Sequence, residues 1–318
     1  MCTAISYKSK DTYFGRNLDL ERGYGESVVI TPKNYEFKMR RVDSLKTHYA
    51  MIGMATVVND YPLYYEATNE FGVSMAGLNF PGNAYYFEFD DSKDNITPFE
   101  FIPCILGKCK NISEVKEALN NINLVNINFS DEYPLSPLHW MISDLNCSIV
   151  VESVKEGLKV HDNPFEVLTN NPKFDYHLMN MNNYMGLTVG PVKNNLNENI
   201  NMNNYSLGMG ALGLPGDYSS ASRFVRACFV KQNSVCKEDE ESSVNQFFHI
   251  LNSVSMPKGC VWTPHGFEYT RYSSCCNVNK GIYYYMTYHN YEIVSINMHD
   301  IDLNESKLST YKVKGLED

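Results

Sequence analysis

Both ends of the chain are written as short β-like segments, while helical spacing is confined to the middle; that order restricts the fold more than any other feature. Thr3–Tyr7 and Tyr13–Asn17 flank a polar turn at Lys8–Asp11 and predict a β-hairpin at the very start. Tyr49–Val58, Leu63–Thr68 and Val73–Phe80 continue as strands, with Asn69–Gly72 turning between the last two. The pattern resumes at Leu138–Asp144, Ser148–Ser153, Leu158–Asp162 and Val167–Asn170, and closes with Tyr269–Asn277, Ile282–Tyr288 and Tyr291–Asn297. Between these blocks, Thr97-Pro-Phe-Glu100 supplies a cap, a proline at the first helical position and a glutamate three residues on. A second helix opens at Asn111 and runs to about Asn120. Helical spacing returns over Tyr176–Met185, Ser222–Val235 and Ser243–Ser255, the last with Val244, Phe247, Phe248, Leu251 and Val254 on one stripe. The Asn-rich stretch Asn194–Asn204 reads as an exposed excursion. Strands, then helices, then strands predict a single α+β domain over residues 1–318, with antiparallel sheets covered by helices.

At 318 residues the chain can bury a core without disulfide or metal staples. Its nine cysteines are odd in number, contain no CxxC pair, and include the neighbours Cys275 and Cys276, which a strand turns to opposite faces. Neither a disulfide framework nor a zinc site follows, and most are expected to be reduced core residues. A formal charge of −10 argues against a nucleic-acid partner. No apolar run reaches the roughly 18 residues of a membrane span. The N-terminus lacks a basic segment followed by an apolar stretch, so no secretory signal is expected and the location is read as cytoplasmic.

Cys2 directly follows the initiator methionine. As the start of an edge strand it would be a small apolar residue. With Met1 removed, it would carry a thiol and a free amine on one carbon. If the hairpin turns near Ser9–Lys10, cross-strand partners sum to about 19. Cys2 then faces about Asn17, with Arg16 adjacent and Asp19 just past the strand end. A neighbouring cation favours the thiolate form of a cysteine. An α-amine titrates near neutrality, so it can accept and return a proton, and Asp19 could orient it. Elsewhere, Asn79 ends a strand in AGLNFPG, Asn170 and Asn171 precede Pro172 in VLTNNP, and Arg223 enters a helix from the Gly/Pro/Ser-rich turn GLPGDYSSASRF. Taken singly, each suits turn or cap chemistry.

Together, MCT, FGRNLDLE, MAGLNFPG, LTNNP and LPGDYSSASRF resemble, in order and essentially end to end, the choloylglycine hydrolases. These N-terminal nucleophile hydrolases include bile salt hydrolases and penicillin V acylases. The resemblance implies a four-layer αββα sandwich. It also implies Cys2 as nucleophile, Arg16 and Asp19 as its charged flank, Asn170 as an oxyanion-binding side chain, Asn79 as a backbone donor to the same hole, and Arg223 as the matching arginine of the SRF motif. Asn at the Asn79 position accompanies bile salt hydrolases, whereas penicillin V acylases more often carry Tyr there. The implied substrate is therefore a conjugated bile salt, cleaved without metal or organic cofactor. Penicillin V or another N-acyl amide is the alternative, and a homotetramer is the implied assembly. A papain-like Cys–His enzyme would need a histidine beside the nucleophile, and the eight histidines form no such signature; His249 reads as a core or boundary residue and His139 as one satisfied within its strand. A non-catalytic bile-acid-binding module would suit the Tyr-rich composition but gives no reason for these polar residues to occur together.

Overall fold

The computed structural model describes residues 1–316 and stacks two antiparallel sheets between helices. The first sheet runs in the order Val167–Leu168, Cys2–Lys8, Thr12–Leu20, Gly266–Asn277, Ile282–Thr287 and Asn290–Asn297, with Val261–Thr263 paired to the Gly266–Asn277 strand. The second runs Gly157–Asp162, Ser148–Val154, Leu138–Ser143, Ser74–Asn79, Tyr61–Asn69, Met51–Val58, Glu26–Thr31 and Ser309–Lys312.

Alternation along the strands sorts side chains into two cores, because successive residues point to opposite faces. Val28, Ile30, Ile52, Met54, Ala76, Leu78, Met141 and Val150 pack toward Cys2, Ala4, Phe14 and Leu18 of the facing sheet. Their neighbours Val29, Met51, Met75, Trp140, Ile142, Ile149 and Val151 pack outward on Phe101, Ile102, Ile105 and Val115, from the helices Pro98–Leu106 and Ile112–Leu119. The helices Phe174–Met181, Ser220–Asn233 and Glu240–Asn252 lie on the opposite side, against the first sheet. The result is the expected four layers.

The structure departs from the sequence expectations at several points. The opening turn takes three residues, with Ser9 N–H donating to Asp11 O at 3.0 Å, so partners sum to 20 and Cys2 pairs with Leu18 in place of Asn17. A slip of one residue exchanges the two faces of a strand. Cys2 therefore shares a face with Leu18 and Arg16, and Asn17 and Asp19 point the other way. The strand Glu26–Thr31 was not anticipated, nor were the short pieces Asp94–Ile96, Ile122–Leu124, Val261–Thr263 and Ser309–Lys312. Finally, the last helix begins at Glu240 behind an Asp239 cap that accepts from Ser242 N–H at 2.8 Å, three residues before the spacing placed it, and His249 on it is exposed. All nine cysteines are free, but Cys147 and Cys260 are exposed, not core residues.

Candidate active site

Cys2 begins its strand at the edge of the space between the sheets, 3% exposed, and lines a cavity of about 410 Å³. Leu18, Leu20, Leu63, Tyr65, Phe99, Phe129, Leu138 and Trp140 give this cavity an apolar wall; Glu21, Arg22, Glu132 and Glu268 supply its charged groups besides Arg16. Such a wall suits a bulky apolar group placed beside a thiol.

Arg16 reaches the same cavity from the neighbouring strand and is fully buried. Its Nη1 donates to Gly77 O at 2.6 Å and Tyr65 O at 3.2 Å, where the Tyr61–Asn69 and Ser74–Asn79 strands separate. Its Nε lies 3.9 Å from the Glu66 carboxylate, while Nη2 is buried without a partner. Burial pulls the Arg16 pKa down, but Cys2, Tyr272, Glu66 and Asp19 outweigh it and the net shift is upward. A cation in this setting stays charged and can face an anion.

Asn170 and Arg223 approach the backbone of Cys2 from the helix side. Asn170 Oδ1 accepts from Cys2 N–H at 2.7 Å and from Arg223 Nη2 at 2.8 Å. Arg223 Nη1 donates to Cys2 O at 2.5 Å and to Thr3 Oγ1 at 2.7 Å. Burial lowers the Arg223 pKa, against Asp19, Cys2 and Glu268. Asn170 Nδ2 spends one hydrogen on Asn79 O at 2.7 Å; a carboxamide nitrogen has a second.

The ladder fixes where Asn79 points. Phe80 N–H donates across to Pro137 O at 2.7 Å, whereas Leu138 N–H turns away to Tyr86 Oη at 2.9 Å. Antiparallel strands alternate bonded and non-bonded pairs, so Asn79, opposite Leu138, directs its N–H away from that strand. Its carbonyl, on the same side, already meets Asn170. The Asn79 N–H and the Asn170 carboxamide are thus directed to one side of the strand, beside Cys2.

Asp19 sits apart from the thiol. Its backbone pairs with Met1 in both directions, at 2.9 and 3.0 Å, and its side chain lies on the opposite face of the strand from Cys2. Thr270 Oγ1 donates to Asp19 Oδ1 at 2.6 Å, leaving Oδ2 buried and unpartnered. The Met1 ammonium contacts Glu268. Of the six residues singled out from sequence, Cys2, Arg16 and Asn79 line the cavity, Asn170 and Arg223 hold the Cys2 backbone, and Asp19 lies beneath the N-terminus.

Sequence reasoning missed several residues that hold these groups. Glu66 accepts from Tyr272 Oη at 2.8 Å and Tyr283 Oη at 2.6 Å behind Arg16. Burial pushes its carboxyl up, with Arg16 and the two tyrosines pulling against it. A carboxylate at an inward-facing strand position was the available signal. His177 Nε2 donates to Asn170 O at 2.9 Å. Burial takes its pKa down to about 4 despite that bond, so it is neutral at pH 7. Among the described residues, no group of three or more His, Cys, Asp or Glu is arranged to hold a metal.

The chain is similar to known proteins over nearly its whole length. A family model for linear amide C–N hydrolases, the choloylglycine hydrolase family, matches residues 2–311. A Lactiplantibacillus plantarum protein named bile salt hydrolase/transferase is 53% identical over 99% of this chain and 97% of its own. The crystal structure of an R18L variant of conjugated bile acid hydrolase from Clostridium perfringens superposes with a TM-score of 0.90 at 39% identity, covering 98% of this chain and 97% of that one. Penicillin V acylase from Agrobacterium tumefaciens shares the fold, with a TM-score of 0.76 at 19% identity over 98% of this chain and 91% of its own.

Proposed function

The chain belongs to the choloylglycine hydrolase family of linear amide C–N hydrolases, and from that premise we propose that it cleaves glycine- or taurine-conjugated bile salts through a thioester on Cys2. The observation that carries the proposal is the position of Cys2: its thiol lines a large apolar cavity beside Arg16, while Asn170 and Arg223 grip its backbone. A relative named for bile salts at 53% identity, and Asn at position 79, favour bile salts over penicillin V.

In the proposed reaction Met1 is removed and the Cys2 thiolate, facing Arg16, attacks the amide carbonyl. The second hydrogen of Asn170 Nδ2 and the Asn79 N–H receive the oxyanion; one such donor is worth roughly 3–4 kcal/mol. The Cys2 α-ammonium protonates the departing amine, leaving a thioester. The same amine then takes a proton from water, which attacks the thioester and releases the acid. The unpartnered Asp19 Oδ2 is the acceptor that orients the ammonium, and Thr270 fixes the other oxygen. Arg223 holds Asn170 and the Cys2 carbonyl in register.

Release of glycine and taurine from conjugated bile salts, measured beside hydrolysis of penicillin V, tests the substrate. The proposal expects amine release to exceed penicillin V turnover. No release from protein that starts at Cys2 would refute it and favour a binding role.

The proposal extends to assembly and location: a homotetramer in the cytoplasm. Support for assembly comes from the stretch 185–212, where Met185, Val189, Leu196, Tyr205, Leu207 and Leu212 are all exposed, Leu207 fully so. Exposed apolar side chains that adjoin one another favour burial against a partner. A native mass near four times 36.4 kDa is expected, and a monomer would contradict it. Among the described residues, no helix is long and apolar enough to cross a membrane.

A further inference from the structure

The two proposed oxyanion donors, Asn79 and Asn170, sit on separate pieces of chain, and one buried side chain touches the neighbours of both. His139 is fully buried on the strand Leu138–Ser143. Its Nε2 lies 2.8 Å from Thr169 O, immediately before Asn170. Its ring stacks on Phe80, immediately after Asn79, with centroids 4.2 Å apart and planes 6° from parallel. Strand register puts it there, opposite Leu78 on one side and Glu152 on the other. A carbonyl only accepts, so Nε2 carries a proton. Nδ1 faces Glu152 Oε1 at 3.2 Å, and the same oxygen accepts the Phe174 N–H at 2.9 Å, tying the pair to the start of the helix that follows Asn170.

We propose that His139, oriented by Glu152, is a positioning residue that sets the spacing between the Asn79 and Asn170 donors. The inference rests on the thioester mechanism above. Donors to an oxyanion act through preorganisation, and a misplacement of about 1 Å can cost about 100-fold in rate. His177 and Ser220 steady Asn170 from its own side, through its carbonyl at 2.9 Å and its N–H at 2.7 Å. His139 instead spans from that loop to the Asn79 strand.

Two substitutions divide its contacts. In His139→Gln the side-chain nitrogen falls near the position of Nε2 and keeps a donor for Thr169 O. In His139→Asn it falls near Nδ1, keeping Glu152 and giving up Thr169. Both are measured for amine release from a glycine-conjugated bile salt and for alkylation of Cys2 by iodoacetamide. In alkylation the thiolate sulfur bonds to carbon as iodide leaves, and no oxyanion forms. The proposal expects His139→Asn, which gives up both the Thr169 bond and the ring stack, to lose at least about 30-fold in kcat with KM within about 3-fold, and His139→Gln, which keeps that bond and gives up the stack, to lose only about 3- to 10-fold. Alkylation should change less than about 2-fold in both, since the thiol itself is untouched. Equal behaviour of the two variants, or a fall in alkylation matching the fall in kcat, would overturn it. If neither variant folds, Phe80→Leu removes the stacked ring from the other side; unchanged kcat there overturns the role, and a lower kcat with normal alkylation supports it. A wild-type protein that alkylates but releases no amine would instead defeat the function on which the role depends.

Discussion

At Asn170 a single side chain serves two needs that pull apart. Its oxygen holds the Cys2 backbone and Arg223, and in the proposed mechanism its nitrogen must remain available to substrate. Neighbours resolve this by fixing the main chain: Ser220 Oγ accepts its N–H at 2.7 Å and His177 donates to its carbonyl. Sequence could nominate Asn170 through its motif, but not these supports, because a histidine in a helix and a serine at a helix start have many uses. His177 has a measurable consequence. Its pKa falls from an ordinary 6.5 to about 4 in the folded protein. The unfolded chain therefore binds a proton below pH 6.5 that the native state refuses, and stability must decline as pH drops toward 4. The full effect is about 3 kcal/mol. Urea unfolding of wild type and His177→Gln at pH 7, 5.5 and 4 should show the gap shifting in favour of the variant by most of that amount. A constant gap would mean that His177 titrates normally.

At the scale of elements, turn length and close strand approach decide what the site can be. Had the first hairpin closed with partners summing to 19, Arg16 would face the helices and Cys2 would lose its cation. Lys8–Asp11 marks a turn but does not reveal whether two or three residues form it, so the hairpin was legible and its register was not. The strand Glu26–Thr31 was illegible for another reason. Val28, Val29 and Ile30 are all fully buried, with one core on each face, and a strand covered on both sides carries no alternation. The helix stripe of Val244, Phe247, Phe248, Leu251 and Val254 was readable because one face alone is buried there. Gly15, beside Arg16, has a physical requirement of its own: a Cβ would sit 2.0 Å from Ser274 O of the adjacent strand. That obstacle is backbone and cannot swing aside. Gly15→Ala should cost at least about 2 kcal/mol in urea unfolding and lower kcat, since Arg16 moves with the strand. A loss under about 0.5 kcal/mol would show that the strands can part at no penalty.

Across the whole molecule, the two sheets divide the labour. The first brings Cys2, Arg16 and Asp19 to one end; the second contributes Asn79 and much of the apolar wall. Asn170, two residues past the short strand Val167–Leu168, and Arg223, on the helix Ser220–Asn233, stand at the margin of the first sheet and bind the backbone of Cys2. Residue types and order announced the layers through family resemblance, whereas the chain pattern alone reached only antiparallel sheets covered by helices. Every part of this arrangement converges on the first residues of the chain, so its chemistry is best tested there. Protein turning over a taurine-conjugated bile salt can be quenched in acid, digested and weighed peptide by peptide. The account predicts an N-terminal peptide that begins at Cys2 and carries the bile acyl group on sulfur. An acyl group found on any other residue, or full turnover by protein that still retains Met1, would contradict it.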